Sequence, residues 1–152
     1  MTSVYLRYQD KILLLYRQGS RVANDVWISS AGGHIEENEI NDAQACVLRE
    51  LKEKLCLDKE DLKNFQHRYV TLRKTNGEIR VIYYYFADLE EELQIESDEG
   101  LLKWFPLSDI SPLPMPLTAK KVLQHYVDEG QFDSHLYSGS MSGREFYAVE
   151  WK

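Results

Sequence analysis

Gly32-Gly33-His34-Ile35-Glu36-Glu37-Asn38-Glu39 runs through Ile40-Asn41-Asp42 into Ala43-Gln44-Ala45-Cys46-Val47-Leu48-Arg49-Glu50-Leu51-Lys52-Glu53-Lys54-Leu55, and this stretch decides how the chain is read. Val47 or Leu48, Leu51 and Leu55 recur at helical spacing. They predict an amphipathic helix over Asp42–Leu55, capped by Asn41 or Asp42. At about 3.6 residues per turn, Glu50, Glu53 and Lys54 share the face away from that apolar stripe. A helix that buries one side and shows clustered carboxylates on the other can hold a hard cation. Mg²⁺ takes oxygen ligands and keeps several waters, which suits one or two carboxylates plus a substrate phosphate. The tandem glycines let the backbone approach the same spot, where a carbonyl adds a ligand. The same residues also have a plainer reading. Acids on an exposed helix face are usually just solvated, and Glu50 with Lys54 at i,i+4 makes a surface ion pair worth about 0.3–0.5 kcal/mol.

Outward from this stretch, strand signals dominate. Val4–Tyr8 and Lys11–Arg17 are rich in β-formers, and Gln9-Asp10 between them predicts a hairpin. Arg17–Asp25 reads as a polar loop, Val26–Ile28 as a short strand and Ser29–Asn41 as a loop. A short helical turn is expected over Lys59–Asn64. His67–Lys74 and Ile79–Asp88 are strands joined through Asn76-Gly77, a hairpin signal because both residues tolerate positive φ. Leu101–Phe105 reads as a strand and Ser111–Pro116 as an extended, proline-rich connector. Leu117–Asp128 is a second helix with Val122, Leu123 and Tyr126 on one face, stopped by Gly130. Glu145–Trp151 alternates as a final strand. Strands and helices mix without strict βαβ alternation, which predicts an α+β domain with a mixed sheet between two helices. With no dividing linker, residues 1–152 read as a single domain, with a helix and strand extension from about residue 117.

The 152 residues, 43% apolar and 28% charged, suit one globular domain and exclude wholesale disorder. The apolar runs Ile12–Tyr16 and Val81–Ala87 are too short to span a membrane, and Met1–Tyr5 lacks a secretory signal pattern. A net charge of −7 argues against a nucleic-acid polymer as partner. It leaves room for a small phosphorylated molecule, since a metal ion can bridge two anions. Two cysteines are too few for a disulfide scaffold and point to a reducing, cytoplasmic home.

The stretch resembles the Nudix box of the Nudix hydrolases, the MutT-like family: Gly33, five residues, Glu39, then Arg49-Glu50-Leu51-Lys52-Glu53 and a closing Leu57. Trp27, Asp98-Glu99-Gly100 ahead of Trp104, and Phe105–Ile110 resemble the segments that flank the box, so the similarity runs from about Val4 to about Tyr126. Three positions depart from the family pattern. Nine residues separate Glu39 from Arg49 where the family has seven, a loop extension that costs little. Cys56 stands where the family has a helix-ending glycine. Lys54 stands where the family has a glutamate that is a principal metal ligand.

The resemblance implies an α/β/α sandwich and a Mg²⁺- or Mn²⁺-dependent diphosphatase. Such an enzyme would cleave the pyrophosphate bond of a nucleoside triphosphate, oxidised or ordinary, or of another nucleoside diphosphate derivative. It implies Gly33, Glu50 and Glu53 as metal ligands, with Arg49 orienting the carboxylates and Glu53 or Glu99 as general base. Asp98 and Glu96 are neighbours that could replace Glu99. His34, Glu39 and Lys54 are the candidate substrate contacts. Lys54 has three possible roles: it swings away to pair with Glu50 or another acid, it leaves the site to be completed by Glu36, Glu37, Glu39 or Glu99, or it holds a phosphate in place of one metal. The alternative function is a non-catalytic Nudix domain that binds a nucleotide or nucleotide sugar as a sensor. A plain interaction domain with a merely soluble helix is the third reading. Tyr83–Phe86, Trp27 and Trp104 read as core residues before base-stacking ones. A homodimer is compatible with a family of this kind.

Overall fold

A computed structural model of the chain describes residues 1–18, 25–143 and 145–151. Nine strands form one mixed sheet: β1 (Thr2–Tyr8), β2 (Lys11–Arg17), β3 (Val26–Ile28), β4 (Ala31–Gly33), β5 (Lys63–Thr75), β6 (Glu78–Asp88), β7 (Gly100–Pro106), β8 (Tyr137–Ser142) and β9 (Glu145–Glu150). Two helices, α1 (Ala43–Leu55) and α2 (Leu117–Asp128), pack on it. The strand order is β3-β2-β1-β6-β5-β8-β9, with β4 pairing β1 and β7 pairing β2. β1 runs parallel to β6, and β5 parallel to β8; the other pairs are antiparallel.

Alternation along the strands sorts the core into two layers. Tyr5, Ile12, Leu14, Tyr84 and Phe86 join Val122, Leu123 and Tyr126 of α2. Val4, Leu6, Leu13, Tyr85 and Ala87 meet Val47, Leu51 and Leu55 of α1. Each helix therefore covers one sheet face, which is the α/β/α sandwich. Phe86 and Tyr126 stack with ring centroids 4.0 Å apart. Trp27 lies between Tyr16 and Phe105, and the Trp104 indole donates to the Leu93 carbonyl at 2.8 Å, so both tryptophans act as packing anchors.

Most expected elements are present within a few residues of their expected ends. Three details differ. The loop expected over Ser29–Asn41 contains β4 and a 3₁₀ turn, Glu37–Glu39. β8 fills a stretch to which the sequence reading assigned no element; its serines and Gly139 are weak β-formers, held because β5 and β9 pair on both sides. Gly130 is not the cap of α2, which ends at Asp128 with Glu129 as its C-cap, and instead opens a further 3₁₀ turn, Gly130–Phe132. The loop expected over Arg17–Asp25 falls mostly outside the described residues. The strands after α2 join the same sheet through β5. No helix among the described residues is long and apolar enough to cross a membrane.

Candidate functional site

The site is built on α1 and the β4 turn that faces it. Asp42 caps α1 by accepting from the Ala45 N–H at 3.0 Å. Cys46, Val47, Leu51 and Leu55 turn inward. Glu50 lies on the boundary, and its side chain is only 8% exposed. Gly33 makes that position possible, because a Cβ there would sit 2.2 Å from Glu50 Oε1. At its C-terminus the helix ends on Cys56 in the left-handed region, at φ 57°. A non-glycine residue pays for that conformation in steric strain.

Arg49 ties the acidic residues together. Its Nε and Nη2 donate in parallel to Glu39 at 2.8 and 3.0 Å. Nη1 reaches Glu50 at 3.1 Å and Glu53 at 3.2 Å, with Glu36 at 3.4 Å. Nη2 also donates to the His34 carbonyl at 3.1 Å. The fork geometry of guanidinium suits this bidentate grip. It holds the Glu39 carboxyl down at about 2, helped by the Glu36 N–H, and raises the Arg49 pKa.

Lys54 has three oxygen neighbours from three segments. Its Nζ donates to the Gly32 carbonyl at 2.6 Å and lies 3.2 Å from Glu50 Oε2 and 3.3 Å from Glu99 Oε1. Glu50 Oε2 is buried with no hydrogen-bond donor aligned on it, so the ammonium is the charge it faces. Of the sequence-derived residues, Arg49, Glu50, Glu53, Glu39, Lys54 and Glu99 are gathered in one network, while the His34 side chain is exposed and only its carbonyl takes part. The backbone oxygen that Lys54 meets belongs to Gly32. The Gly33 carbonyl instead turns toward Thr2, whose Oγ1 donates to it at 3.3 Å, because β4 pairs with β1 there. Cys46 was not legible as a participant: its buried thiol lies against Thr2 Oγ1, the His34 carbonyl and Arg49. A cysteine on an apolar helix stripe carries no such signal in sequence.

A family model for the NUDIX domain matches residues 2–126. The chain belongs to the NUDIX family. A MutT protein from Bacillus halodurans is 21% identical, with 98% of this chain and 95% of that one covered at a TM-score of 0.67. The dihydroneopterin triphosphate pyrophosphohydrolase of E. coli is 23% identical, over 84% and 93% of the two chains, at 0.67. The NUDIX domain of Shewanella oneidensis NrtR, solved with ADP ribose, is 19% identical over 87% and 86%, at 0.64. These likenesses show the fold. No curated protein sequence matches the chain. NUDIX proteins are typically hydrolases that use a divalent metal such as Mg²⁺.

The residues of this NUDIX domain do not fit that metal as they stand. Among the described residues, no group of three or more His, Cys, Asp or Glu side chains is disposed to hold an ion. Glu50, expected as a ligand beside Glu53 and Gly33, is linked to Glu53 through Arg49 Nη1, and Glu53 is exposed. The point where Glu50, Glu99 and the Gly32 carbonyl converge holds the Lys54 ammonium. Unit charges about 4 Å apart interact by roughly 4 kcal/mol at an effective dielectric near 20. A divalent ion brought beside Nζ meets repulsion of that order for each of its charges, which offsets what the carboxylates offer.

Proposed function

We propose that this NUDIX domain binds a nucleoside triphosphate or another nucleoside diphosphate derivative, as a ligand-binding domain and not as a Mg²⁺-dependent hydrolase. The observation that carries this reading is the Lys54 ammonium seated among the Gly32 carbonyl, Glu50 and Glu99. The ligand class is supported by the family and by the ADP ribose of the NrtR domain. Arg49 fixes the acidic side chains in place. Lys54, one-quarter exposed, presents the charge that a phosphate oxygen needs in a chain of net charge −7. The exposed His34 ring stands at the rim as a further contact. The partner is a small molecule, since the same charge repels nucleic-acid polymers. The two free cysteines, Cys46 and Cys56, support a reducing, cytoplasmic setting. A panel including ADP ribose, ATP and dGTP, titrated by calorimetry with and without chelator, tests the reading. Binding of a panel member that the chelator leaves unchanged supports it. Binding that requires metal, or no binding by any member, overturns it.

A second reading is hydrolysis of a pyrophosphate bond with Mg²⁺ or Mn²⁺. It is favoured by the buried Glu50 Oε2, which lacks an aligned donor, and by five carboxylates, Glu36, Glu39, Glu50, Glu53 and Glu99, against two cations. Glu53 and Glu99 would then be the residues placed to take a proton. Release of monophosphate or pyrophosphate from any panel member with Mg²⁺ or Mn²⁺ would establish it in place of the binding reading.

A further inference from the structure

We infer that the Lys54 ammonium is a tethered substitute for a divalent cation, assembling the acidic ledge from three chain segments without a free ion. The inference deepens the binding reading of the same ledge. Its test uses metal alone, so the two can fail separately.

The simple i,i+4 ion pair does not account for the geometry. A surface lysine paired only with the preceding turn would hold one carboxylate and leave its ammonium in water. Lys54 instead reaches back to the β4 carbonyl of Gly32 and forward to Glu99, just ahead of β7, while also facing Glu50 within its own helix. The partners come from separate parts of the fold, and one of them is buried. A buried carboxylate requires a compensating charge. Arg49 supplies it to Glu50 Oε1, and Lys54 is the cation facing Oε2. An ammonium has three donors and faces three oxygens here, at separations of 2.6 to 3.3 Å. Mg²⁺ would need near-octahedral oxygens at about 2.0–2.1 Å. Because the lysine is covalently attached, Glu50 Oε2 keeps a cation beside it at any free metal concentration.

Removing the ammonium should therefore turn a metal-indifferent protein into a metal-responsive one. The thermal midpoint of the wild-type chain is measured in chelator and in about 5 mM Mg²⁺, alongside Lys54→Met. Mn²⁺ uptake is titrated on the wild type and on Lys54→Glu. The expected result is a wild-type midpoint that Mg²⁺ leaves unchanged, a lowered Lys54→Met midpoint that Mg²⁺ recovers, and Mn²⁺ affinity at least tenfold higher in Lys54→Glu. A Mg²⁺-dependent rise in the wild-type midpoint overturns the inference. So does Mn²⁺ affinity in the wild type within a few-fold of Lys54→Glu. Should a variant fail to fold, the wild-type comparison in chelator and Mg²⁺ decides alone.

Discussion

Arg49 and Glu39 meet through two parallel hydrogen bonds, Nε to Oε2 at 2.8 Å and Nη2 to Oε1 at 3.0 Å. This pair fastens the 3₁₀ turn before α1 to the middle of the helix and so fixes the loop that leads out of β4. Arg49→Lys keeps the charge but cannot span Glu39, Glu50 and Glu53 together. The expected outcome is a thermal midpoint lower by about 3 °C or more, at the scale of 2–4 °C per kcal/mol for a chain of this size. Differential scanning calorimetry checks it.

The same pair sets an acid limb. Glu39 is depressed to about 2 from an ordinary 4.5, chiefly by the Arg49 hydrogen bonds. A carboxylate with a depressed folded-state pKa contributes stability that is complete above its unfolded value and is lost as pH falls through the folded one. Stability should thus decline between about pH 4.5 and about pH 2, and Glu39→Gln should flatten that decline while lowering stability at neutral pH. Urea unfolding across this range measures it; an unchanged acid slope in the variant would remove Glu39 from the account.

Gly33→Ala places a methyl group 2.2 Å from Glu50 Oε1. Glu50 must move, and its contacts with Arg49 and Lys54 go with it. Overpacking of this kind costs about 1–3 kcal/mol. The expected readouts are a lower midpoint and weaker ligand binding in calorimetry.

Cys56→Gly relieves the left-handed backbone at φ 57°. The strain released is about 1–2 kcal/mol, partly offset by glycine's greater freedom in the unfolded chain. A midpoint raised by about 1–4 °C is expected. Cys56 is exposed and lies beyond the last helical residue, so ligand affinity should not change.

Leu51→Ala empties a fully buried position between α1 and the sheet. A loss of about 2–5 kcal/mol is expected by denaturant titration.

The sequence showed the scaffold more clearly than the wiring. The Val47–Leu51–Leu55 stripe, the Asn76-Gly77 turn and the alternation of Tyr83 through Phe86 are local patterns, and each placed its element. β8 was not legible, because Tyr137-Ser138-Gly139-Ser140 becomes a strand only through its neighbours. At the site, Glu50 could be nominated from helical spacing, and Arg49 and Glu39 from the resemblance to the Nudix box. The exchange of Gly33 for Gly32 as the participating carbonyl could not, because it depends on the register of β4 against β1. Pairing of Lys54 with Glu50 or another acid was among the expected roles; that the other acid is Glu99 was hidden for a similar reason. Glu99 is distant in sequence, and only the placement of β7 beside β2 brings its loop to the helix.

The central claim is tested most directly by a crystal structure of the wild-type chain grown with abundant Mn²⁺, examined for anomalous scattering. The account predicts Lys54 Nζ density between Gly32, Glu50 and Glu99, with no anomalous peak at that point. A manganese peak bonded to the Glu50 and Glu99 carboxylates, with Lys54 turned aside, would contradict it.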